Sequence, residues 1–571
     1  MSKWQIIGKS KGSDIISVLL ANRGLKTKKE IEEFLNPKLG DVTAASVGID
    51  KTQLKKAVIR IQKAIENKEQ IVVYGDYDVD GICGAAILWE TLHSLGANAM
   101  PYIPHRIDEG YGLSKTGIEN LTKRYTLDAK LSLVITVDNG IVANTAVEFA
   151  NKNGIDVIIT DHHVPSKKLP KAHSIVHTTK LCGAGVGWML AKECHSDPAQ
   201  RGKNLKRSFT GVQDDNGKEK HLELVALATI ADLVPLVGAN RTLTKYGLEQ
   251  LRKTKRVGLL ELFKESGVEP LKIGTYEVGH LIAPRLNAMG RLESAMDSLR
   301  LLCTKNRERA VALAHMVGST NKERQFVTEE MVLHAKSTVT LRLRSGQESQ
   351  KLLFVSHESY QQGVIGLVAG KLVEEFYRPS IVVAIGEKTS KASARSVKGF
   401  NIIEFIRNAS DLLVDAGGHP MAAGFTVETT KLLLLEKRLT TLADKLVDDN
   451  LLIRTLNIDC EIDLTYVTNA FYEQLKALEP FGMANPKPTF VSKKVVIEDM
   501  RLVGKDKRHL KLVVRSQLSE VTVDAIAFGM GERAREFHVG DTVDIVYTIE
   551  ENTWNGNKKL QLKVKDLRLF S

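Results

Sequence analysis

At 571 residues the chain is too long for a single hydrophobic core, so three or four domains are expected. Hydrophobic residues make up 43% and charged residues 26%, which excludes a disordered or fibrous chain; the net charge of +12 favours a polyanionic partner. Basic surfaces also occur without nucleic acid, so charge alone does not name that partner.

The five cysteines (Cys83, Cys182, Cys194, Cys303 and Cys460) are scattered and lack CxxC spacing. That argues against a disulfide framework or a zinc site and for a reducing compartment. The apolar run Ile15 to Ala21 is too short for a secretory signal, and no stretch approaches a membrane span. A cytoplasmic location is expected.

Residues 1–68 read as a polar helical cap, amphipathic over Lys28 to Phe34 and Leu54 to Ile65, with no evident chemistry. From Ile71 onward strands alternate with helices. Ile71 to Tyr74, Met100 to Ile103, Leu133 to Val137, Val157 to Thr160 and Ser174 to His177 are β-prone. Ala85 to Leu95, Leu113 to Leu121 and Thr145 to Asn153 carry helical patterns. Such alternation predicts a parallel sheet covered on both faces, with ligands gathering outside the carboxyl ends of its strands.

Three of these strands end in metal-capable side chains. The first runs into Gly75-Asp76-Tyr77-Asp78-Val79-Asp80-Gly81, another into Asp138-Asn139-Gly140, and a third into Asp161-His162-His163. One acidic strand end is an ordinary helix cap. Three at one edge repel one another unless a cation sits among them. Asp76-x-Asp78-x-Asp80-Gly81 also fits half of a helix–loop–helix calcium loop, but Ile87 stands where that loop needs glutamate, and a strand precedes it. The calcium loop is excluded.

Lys203 to Lys220 reads as a charged surface insertion. Leu222 to Ile230 then looks helical and leads into Ala231-Asp232-Leu233-Val234-Pro235, where Asp232 either caps the next helix or completes a metal site. Residues 240–345 are mostly helical and contain Pro284-Arg285-Leu286-Asn287-Ala288-Met289-Gly290-Arg291. Its arginines suit phosphate contact, although solvated surface arginines are commoner.

A second βα region follows, with strands at Lys351 to Ser356, Ile381 to Ile385 and around Ser393. In it Gly417-Gly418-His419 reads as a turn whose amides would approach a phosphate. From about Leu456 the pattern changes to short strands: Lys494 to Ile497, Leu510 to Val514, Val521 to Phe528, Thr542 to Thr548 and Leu560 to Leu567. A small five-stranded barrel is expected. Lys505, Lys507, Arg508, Lys511, Arg515 and Lys558 make it basic, and Phe528 and Trp554 are either stacking platforms or core.

Gly75 to Gly81, Val137 to Gly140, Asp161-His162-His163 and Ala231 to Pro235 resemble the four motifs of the DHH phosphoesterases. Within them the chain resembles the RecJ branch of single-strand-specific exonucleases. Further matches are Glu109-Gly110-Tyr111-Gly112-Leu113, Ala283 to Asn287, Gly363-Val364-Ile365-Gly366, Ser393-Ala394-Arg395, Gly417-Gly418-His419, Leu478 to Gly482 and Asn485-Pro486. The resemblance runs from about residue 70 to the C-terminus. Tyr360-Gln361-Gln362-Gly363 departs from the usual Trp-His-Pro-Gly, His177-Thr178-Thr179 stands where Asn-Pro is common, and Lys203 to Lys220 is longer than the family pattern.

The resemblance implies an α/β architecture in five parts: an N-terminal cap (1–68), a DHH catalytic domain with a parallel sheet (69–240), a helical connector (241–345), a smaller α/β DHH-associated domain (346–450) and an OB-type barrel (451–571). It implies 5′-to-3′ hydrolysis of single-stranded DNA in repair and recombination, with two divalent ions, Mn²⁺ or Mg²⁺. Asp78, Asp80, Asp138, His162 and Asp232 would hold them, an oxygen-rich shell that suits these ions better than zinc. His163 is implied as a phosphate contact or proton donor, and Asp76 as a weak ligand or a group orienting one. Arg106, Tyr111, Arg285, Asn287, Ser393, Arg395, Gly417, Gly418 and His419 would contact substrate. Arg395 is suited to grip a terminal phosphate with two N–H groups, against the plainer reading of a salt bridge between domains. A single-strand-binding protein and a helicase are the expected partners, and a monomer the expected state. Two other readings stand: a dinucleotide or cyclic-dinucleotide phosphodiesterase, which needs no barrel, and a non-catalytic replication scaffold, which would have lost ligands present here.

Overall fold

The computed structural model describes residues 2–8, 14–106, 108–124, 130–196, 220–345, 351–554 and 557–570. Lys203 to Lys220 lies outside them except for its last residue, as does the Trp554 side chain. The chain forms two compact units, one of Trp4–Ala283, Ser298–Leu313 and Asn457–Ser571, the other of Met1–Lys3, Pro284–Asp297 and Ala314–Leu456.

In the larger unit the strands lie in the order Asn98–Tyr102, Gln70–Tyr74, Leu131–Val137, Asp156–Asp161, Ser174–His177, every neighbouring pair parallel. This is the sheet that the alternation predicts. Ile71, Val72 and Val73 are wholly buried, and burying each such side chain contributes about 1.5–3 kcal/mol. The following helix starts earlier than its apolar pattern suggests. It spans Val79–Ser94 because the Asp78 side chain caps it, accepting from the amides of Asp80 at 2.9 Å and Gly81 at 3.1 Å.

The smaller unit holds a mixed sheet in the order Leu413–His419, Ala422–Glu428, Thr389–Arg395, Ser380–Ala384, Leu353–His357. Gly417-Gly418-His419 is not a turn but the end of a strand, with Gly417 opposite Gly424, Gly418 opposite Ala423 and His419 opposite Ala422. At Gly418 the φ is 142°, and a Cβ there would lie 2.4 Å from the Ala422 carbonyl oxygen, so no other residue fits.

The C-terminal strands of the larger unit close on themselves: Phe490–Val503, His509–Arg515, Thr522–Ala527, Asn557–Leu569 and Thr542–Trp554, the last pairing back to the first. The five-stranded barrel is therefore as expected. Its core includes Ile497, Leu512, Val543 and Tyr547, together with Ile15, Leu19, Leu20 and Phe34 from the N-terminal helices Ile15–Asn22 and Lys28–Leu35.

One arginine ties these segments together. Arg241, on the helix Gly238–Arg252, is 1% exposed and donates to the carbonyls of Phe34 at 2.8 Å, Leu478 at 2.9 Å and Glu479 at 2.7 Å. Its guanidinium also lies 3.7 Å from the Phe34 ring centroid. Burial, with Arg23 adding to it, pushes its pKa down to about 10, so it stays charged at neutral pH. Arg241→Met should lower stability by at least about 3 kcal/mol, because several buried carbonyls lose a charged donor at once. Arg241→Lys should not restore it, having no fork to reach them. Urea denaturation checks this; an unchanged midpoint in Arg241→Met would contradict it.

Candidate metal centre

The acidic motif sits where the strand Gln70–Tyr74 hands over to the helix Val79–Ser94. The turn is tight: a Cβ at Gly81 would lie 2.4 Å from the Asp76 nitrogen. Asp80 is 1% exposed, and its two oxygens accept 2.6 Å bonds from the amides of Gly183 and Ala184. Those amides open the helix Gly183–Ser196, whose positive end favours a carboxylate. A Cβ on Gly183 would meet the Asp138 Cβ at 2.4 Å, so the helix approaches this closely only because glycine stands there. Sequence reasoning misses these amides; glycine at 183, 185 and 187 is the signal of such close packing.

Asp138 follows its strand with φ 64°, a left-handed conformation that costs roughly 1–3 kcal/mol. Asn139 braces the bend. Its amide donates to the Val137 carbonyl at 2.8 Å and the Tyr74 carbonyl at 3.3 Å, and its oxygen accepts from the Leu113 amide at 3.1 Å. Asp161 turns back into the protein, accepting from the Ile141 amide at 2.8 Å, the His162 amide at 2.7 Å and His163 Nδ1 at 2.8 Å. Burial opposes its charge, but these donors bring its pKa below the ordinary value. His177, at a departure from the family pattern, donates from Nε2 to the His163 carbonyl at 2.7 Å and so steadies the same loop.

His162 Nε2 lies 3.1 Å from Asp138 Oδ1, 3.6 Å from Asp232 Oδ2 and 3.8 Å from Asp80 Oδ2. Asp232 closes the helix Leu222–Ala231 as its C-terminal cap. Three donor sets each gather within 4.8 Å: Asp138, His162 and His163; Asp80, His162 and Asp232; Asp76, Asp78 and Asp138. Asp138 and His162 each belong to two sets. Oδ1 of Asp76 and Oδ1 of Asp138 are buried and accept no hydrogen bond among the described residues. Leaving such an oxygen unsatisfied costs about 1–3 kcal/mol, and more when it is charged. Divalent cations satisfy them, and oxygen donors with one or two imidazoles fit Mn²⁺ or Mg²⁺.

The electrostatics agree. Burial and Asp78 raise the Asp76 pKa well above its usual value; burial and Asp80 do the same to Asp138. Burial raises Asp80 against the pull of His162. Asp232 is pushed up to about 8 by burial, Asp80 and Asp78. Burial lowers His162, leaving the neutral imidazole that a metal needs. Burial also presses His163 down, but its bond to Asp161 outweighs this and raises it.

Arg106 and Tyr111 reach the same edge through a residue that sequence reasoning passes over. Arg106 lies 4.9 Å over the ring of Tyr77, which meets Tyr111 edge-on at 6.1 Å, and the Tyr111 hydroxyl is 3.0 Å from His163 Nε2. The remaining expected contacts lie in the smaller unit. Arg395 Nη1 donates to Ser393 Oγ at 3.2 Å and to the Ala394 carbonyl at 2.9 Å. In register across three strands, Arg395 faces Ala422 and then His419, and Ser393 faces Gly424 and then Gly417. Residues in register share a sheet face, so small residues form a floor between Arg395 and His419. Gly366 packs over this row: a Cβ there would sit 3.0 Å from Arg395 Nη2 and from Ser393 Oγ. Arg285 and Asn287 lie on the helix Ala283–Leu292, which docks on the Gly363 loop through Arg291 Nη1 at 3.1 Å. In that loop Tyr360 is 4% exposed and bonds His334 Nδ1 at 2.8 Å, so the departure from the family pattern keeps a buried aromatic.

Comparison with known proteins agrees over most of the length. Family models match for the DHH family, N-terminal domain (70–229), the DHHA1 domain (349–448) and the RecJ OB domain (458–566). The chain is 36% identical over 563 residues to the single-stranded-DNA-specific exonuclease RecJ of Bacillus subtilis, covering 97% of this chain and 67% of that one. It is 30% identical to the Escherichia coli protein of the same name, covering 96% and 95% respectively. Crystal structures of Thermus thermophilus RecJ with Mn²⁺ and with Mg²⁺ superpose with TM-scores of 0.80 and 0.75 at 28% and 27% identity. Both cover 100% of this chain, and 80% and 79% of the Thermus chains.

The raised carboxyls make a signed prediction. A group whose folded pKa is raised stabilises the fold fully below its unfolded value, and that contribution is lost as pH rises through the folded value. Metal-free protein should lose stability as pH climbs from about 4 towards 8, the window set by Asp232. Mn²⁺ should therefore raise the melting temperature more at pH 8 than at pH 5.5. Equal gains at both would contradict the cluster's charge state.

Proposed function

The chain belongs to the RecJ family of single-stranded-DNA-specific exonucleases, and from that premise we propose that it digests single strands from the 5′ end at the carboxylate edge of its parallel sheet. It is a metal-dependent hydrolase of single-stranded DNA that works with Mn²⁺ or Mg²⁺. The observation that carries the site assignment is the pair of buried, unsatisfied oxygens on Asp76 and Asp138 beside His162.

Asp78, Asp80, Asp138, His162 and Asp232 would hold two ions, with Asp138 shared between them and Asp76 a further ligand or a group orienting one. When bound, such ions polarise the phosphoryl oxygens and lower the pKa of water. The protein's own groups do the rest. The Gly183 and Ala184 amides hold Asp80 in place and favour its charged form against the burial that opposes it. Asp161 fixes the His163 ring by holding Nδ1, so Nε2 is the atom that would meet a phosphate or deliver a proton, with the Tyr111 hydroxyl beside it.

Ser393, Arg395 and His419, on their floor of small residues, support a reading of the 5′ phosphate, with Arg285, Asn287 and Arg106 as further contacts along the strand. On the barrel, Phe528 is 53% exposed with Lys563 Nζ 5.6 Å from its ring, an arrangement suited to stacking a base. Arg515 and Lys558 instead pair with Glu498 and Glu551. A small-nucleotide phosphodiesterase would need none of this barrel, and a non-catalytic scaffold would need none of the metal ligands. Among the described residues no helix is long and apolar enough to cross a membrane. We read the protein as a cytoplasmic monomer working in repair and recombination beside a helicase and a single-strand-binding protein.

Three experiments test this. Asp138→Ala should reduce hydrolysis in Mn²⁺ by at least about 10³-fold, the loss of a ligand serving both ions, while the melting curve stays cooperative. Strands labelled separately at each end should lose the 5′ label first; release from the 3′ end, or activity in excess chelator, would overturn the reading. Arg395→Ala should raise KM for 5′-phosphorylated strands about tenfold and narrow their advantage over 5′-hydroxyl strands. A mutant that keeps the full preference would return Arg395 to a structural role.

A further inference from the structure

One face of the smaller unit's sheet is only half covered. The helix Ile365–Phe376 packs on Val382 and Ala384 through Val368 and Leu372, and Gly366 carries it as far as Ser393. Beyond it three rows cross the face in register: His419, Ala422 and Arg395; then Gly417, Gly424 and Ser393; then Asp415, Thr426 and Lys391. The third row has no part in the reading of the terminal phosphate. In it Lys391 Nζ donates to Thr426 Oγ1 at 2.8 Å, and Thr426 Oγ1 donates to Asp415 Oδ1 at 2.9 Å. Thr426, at the centre of this chain, is 4% exposed, whereas the charged residues at its two ends are exposed. The floor between the outer rows is bare. Among the described residues, a Cβ on Gly417 would meet no atom within 4 Å, and one on Gly424 only the Ala392 carbonyl oxygen at 3.5 Å.

Resting on the nuclease reading, we propose that the second and third rows seat the nucleoside of the 5′-terminal nucleotide, its base lying over Gly417 and Gly424 with its edge against Lys391 and Asp415. Rows two residues apart along a strand are spaced by roughly 7 Å, so the third lies roughly 14 Å from the row of Arg395. Arg395 leans towards the second row, bonding Ser393, which shortens that gap to the length of a nucleotide. Glycine at two facing positions lets a flat ring come close to the backbone. The third row favours a base over a second phosphate, because the Asp415 carboxylate beside Lys391 repels a phosphodiester. Every base carries an N–H next to a nitrogen or oxygen acceptor on its pairing edge, and a carboxylate with an ammonium matches that pair. All four bases satisfy it, so the contact senses that a base is present without choosing among sequences. These strands belong to one compact unit, so the seat does not depend on how the two units meet.

The test is a double-mutant cycle between protein and substrate, run on the full-length chain in Mn²⁺. 5′-Phosphorylated single strands of one sequence begin either with a normal nucleotide or with an abasic tetrahydrofuran, and kcat/KM is measured for release of the first residue. Wild type should lose about tenfold when the base is removed, the worth of one or two hydrogen bonds. Lys391→Met should lose about tenfold on the normal strand but under about twofold on the abasic one, since lysine and base act as a pair. Its preference for a 5′ phosphate over a 5′ hydroxyl should persist. Should Lys391→Met misfold, Asp415→Asn keeps the oxygen that Thr426 bonds, loses the charge, and should also narrow the ratio of normal to abasic ends. Equal rates on both ends in a wild type that digests from the 5′ end, or a ratio that neither variant changes, rejects the base seat and leaves the nuclease reading standing. A Lys391→Met variant that weakens both strands alike and loses the 5′-phosphate preference makes Lys391 a phosphate ligand, and the seat falls. A wild type that cuts no single strand, or cuts only from the 3′ end, rejects the nuclease reading and the seat with it.

Discussion

Repulsion among carboxylates governs the larger unit. Asp76, Asp78, Asp80, Asp138 and Asp232 crowd one edge of a buried sheet, where like charges a few ångströms apart interact by roughly 4 kcal/mol even at an effective dielectric near 20. The architecture around them opposes that repulsion without removing it. The helix at Gly183 turns its amides onto Asp80, and Asp161 is diverted to backbone donors and His163. Asp76 and Asp138 are left with buried oxygens that accept no hydrogen bond among the described residues. Buried carboxylate oxygens of this kind, gathered with an imidazole at one sheet edge, are what a divalent cation completes.

Glycine sets how closely the pieces come together. A side chain at Gly81 would strike Asp76, and one at Gly183 would strike Asp138. The first closes a tight local turn, and the second brings together elements far apart in sequence. The strained backbone at Asp138 belongs to the same arrangement: its left-handed φ of 64° turns the carboxylate to the side from which His162 approaches.

Much of this is legible in the sequence, because strand ends announce themselves. Apolar runs stopping at Asp76, Asp138 and Asp161 locate the edge, and the parallel order that aligns them follows from alternation with helices. What hides is long-range or made of backbone. The Gly183 amides carry no side-chain signature. The glycine-rich strand at 417–419 mimics a turn, since glycine serves both and only pairing with Ala422 to Gly424 decides. That Ile15, Leu19 and Phe34 belong to the barrel core is invisible in a pattern that shows only amphipathic helices. Nor does composition reveal that Arg241, one arginine among the chain's 80 basic residues, is buried on backbone carbonyls.

The chemistry of each unit is specified within it. In the larger unit the buried oxygens of Asp76 and Asp138 are acceptors of the kind a divalent cation completes. Strand ends that stop at aspartate, and a helix that approaches through Gly183, bring them together. In the smaller unit pairing across three strands sets Ser393 opposite Gly424 and Gly417, and Arg395 opposite Ala422 and His419. There glycine and alanine keep the sheet face low, so the longer side chains of Arg395 and His419 stand above it. The same residue type thus serves close backbone approach in one unit and an open sheet face in the other, which is why glycine positions alone do not say which they mark.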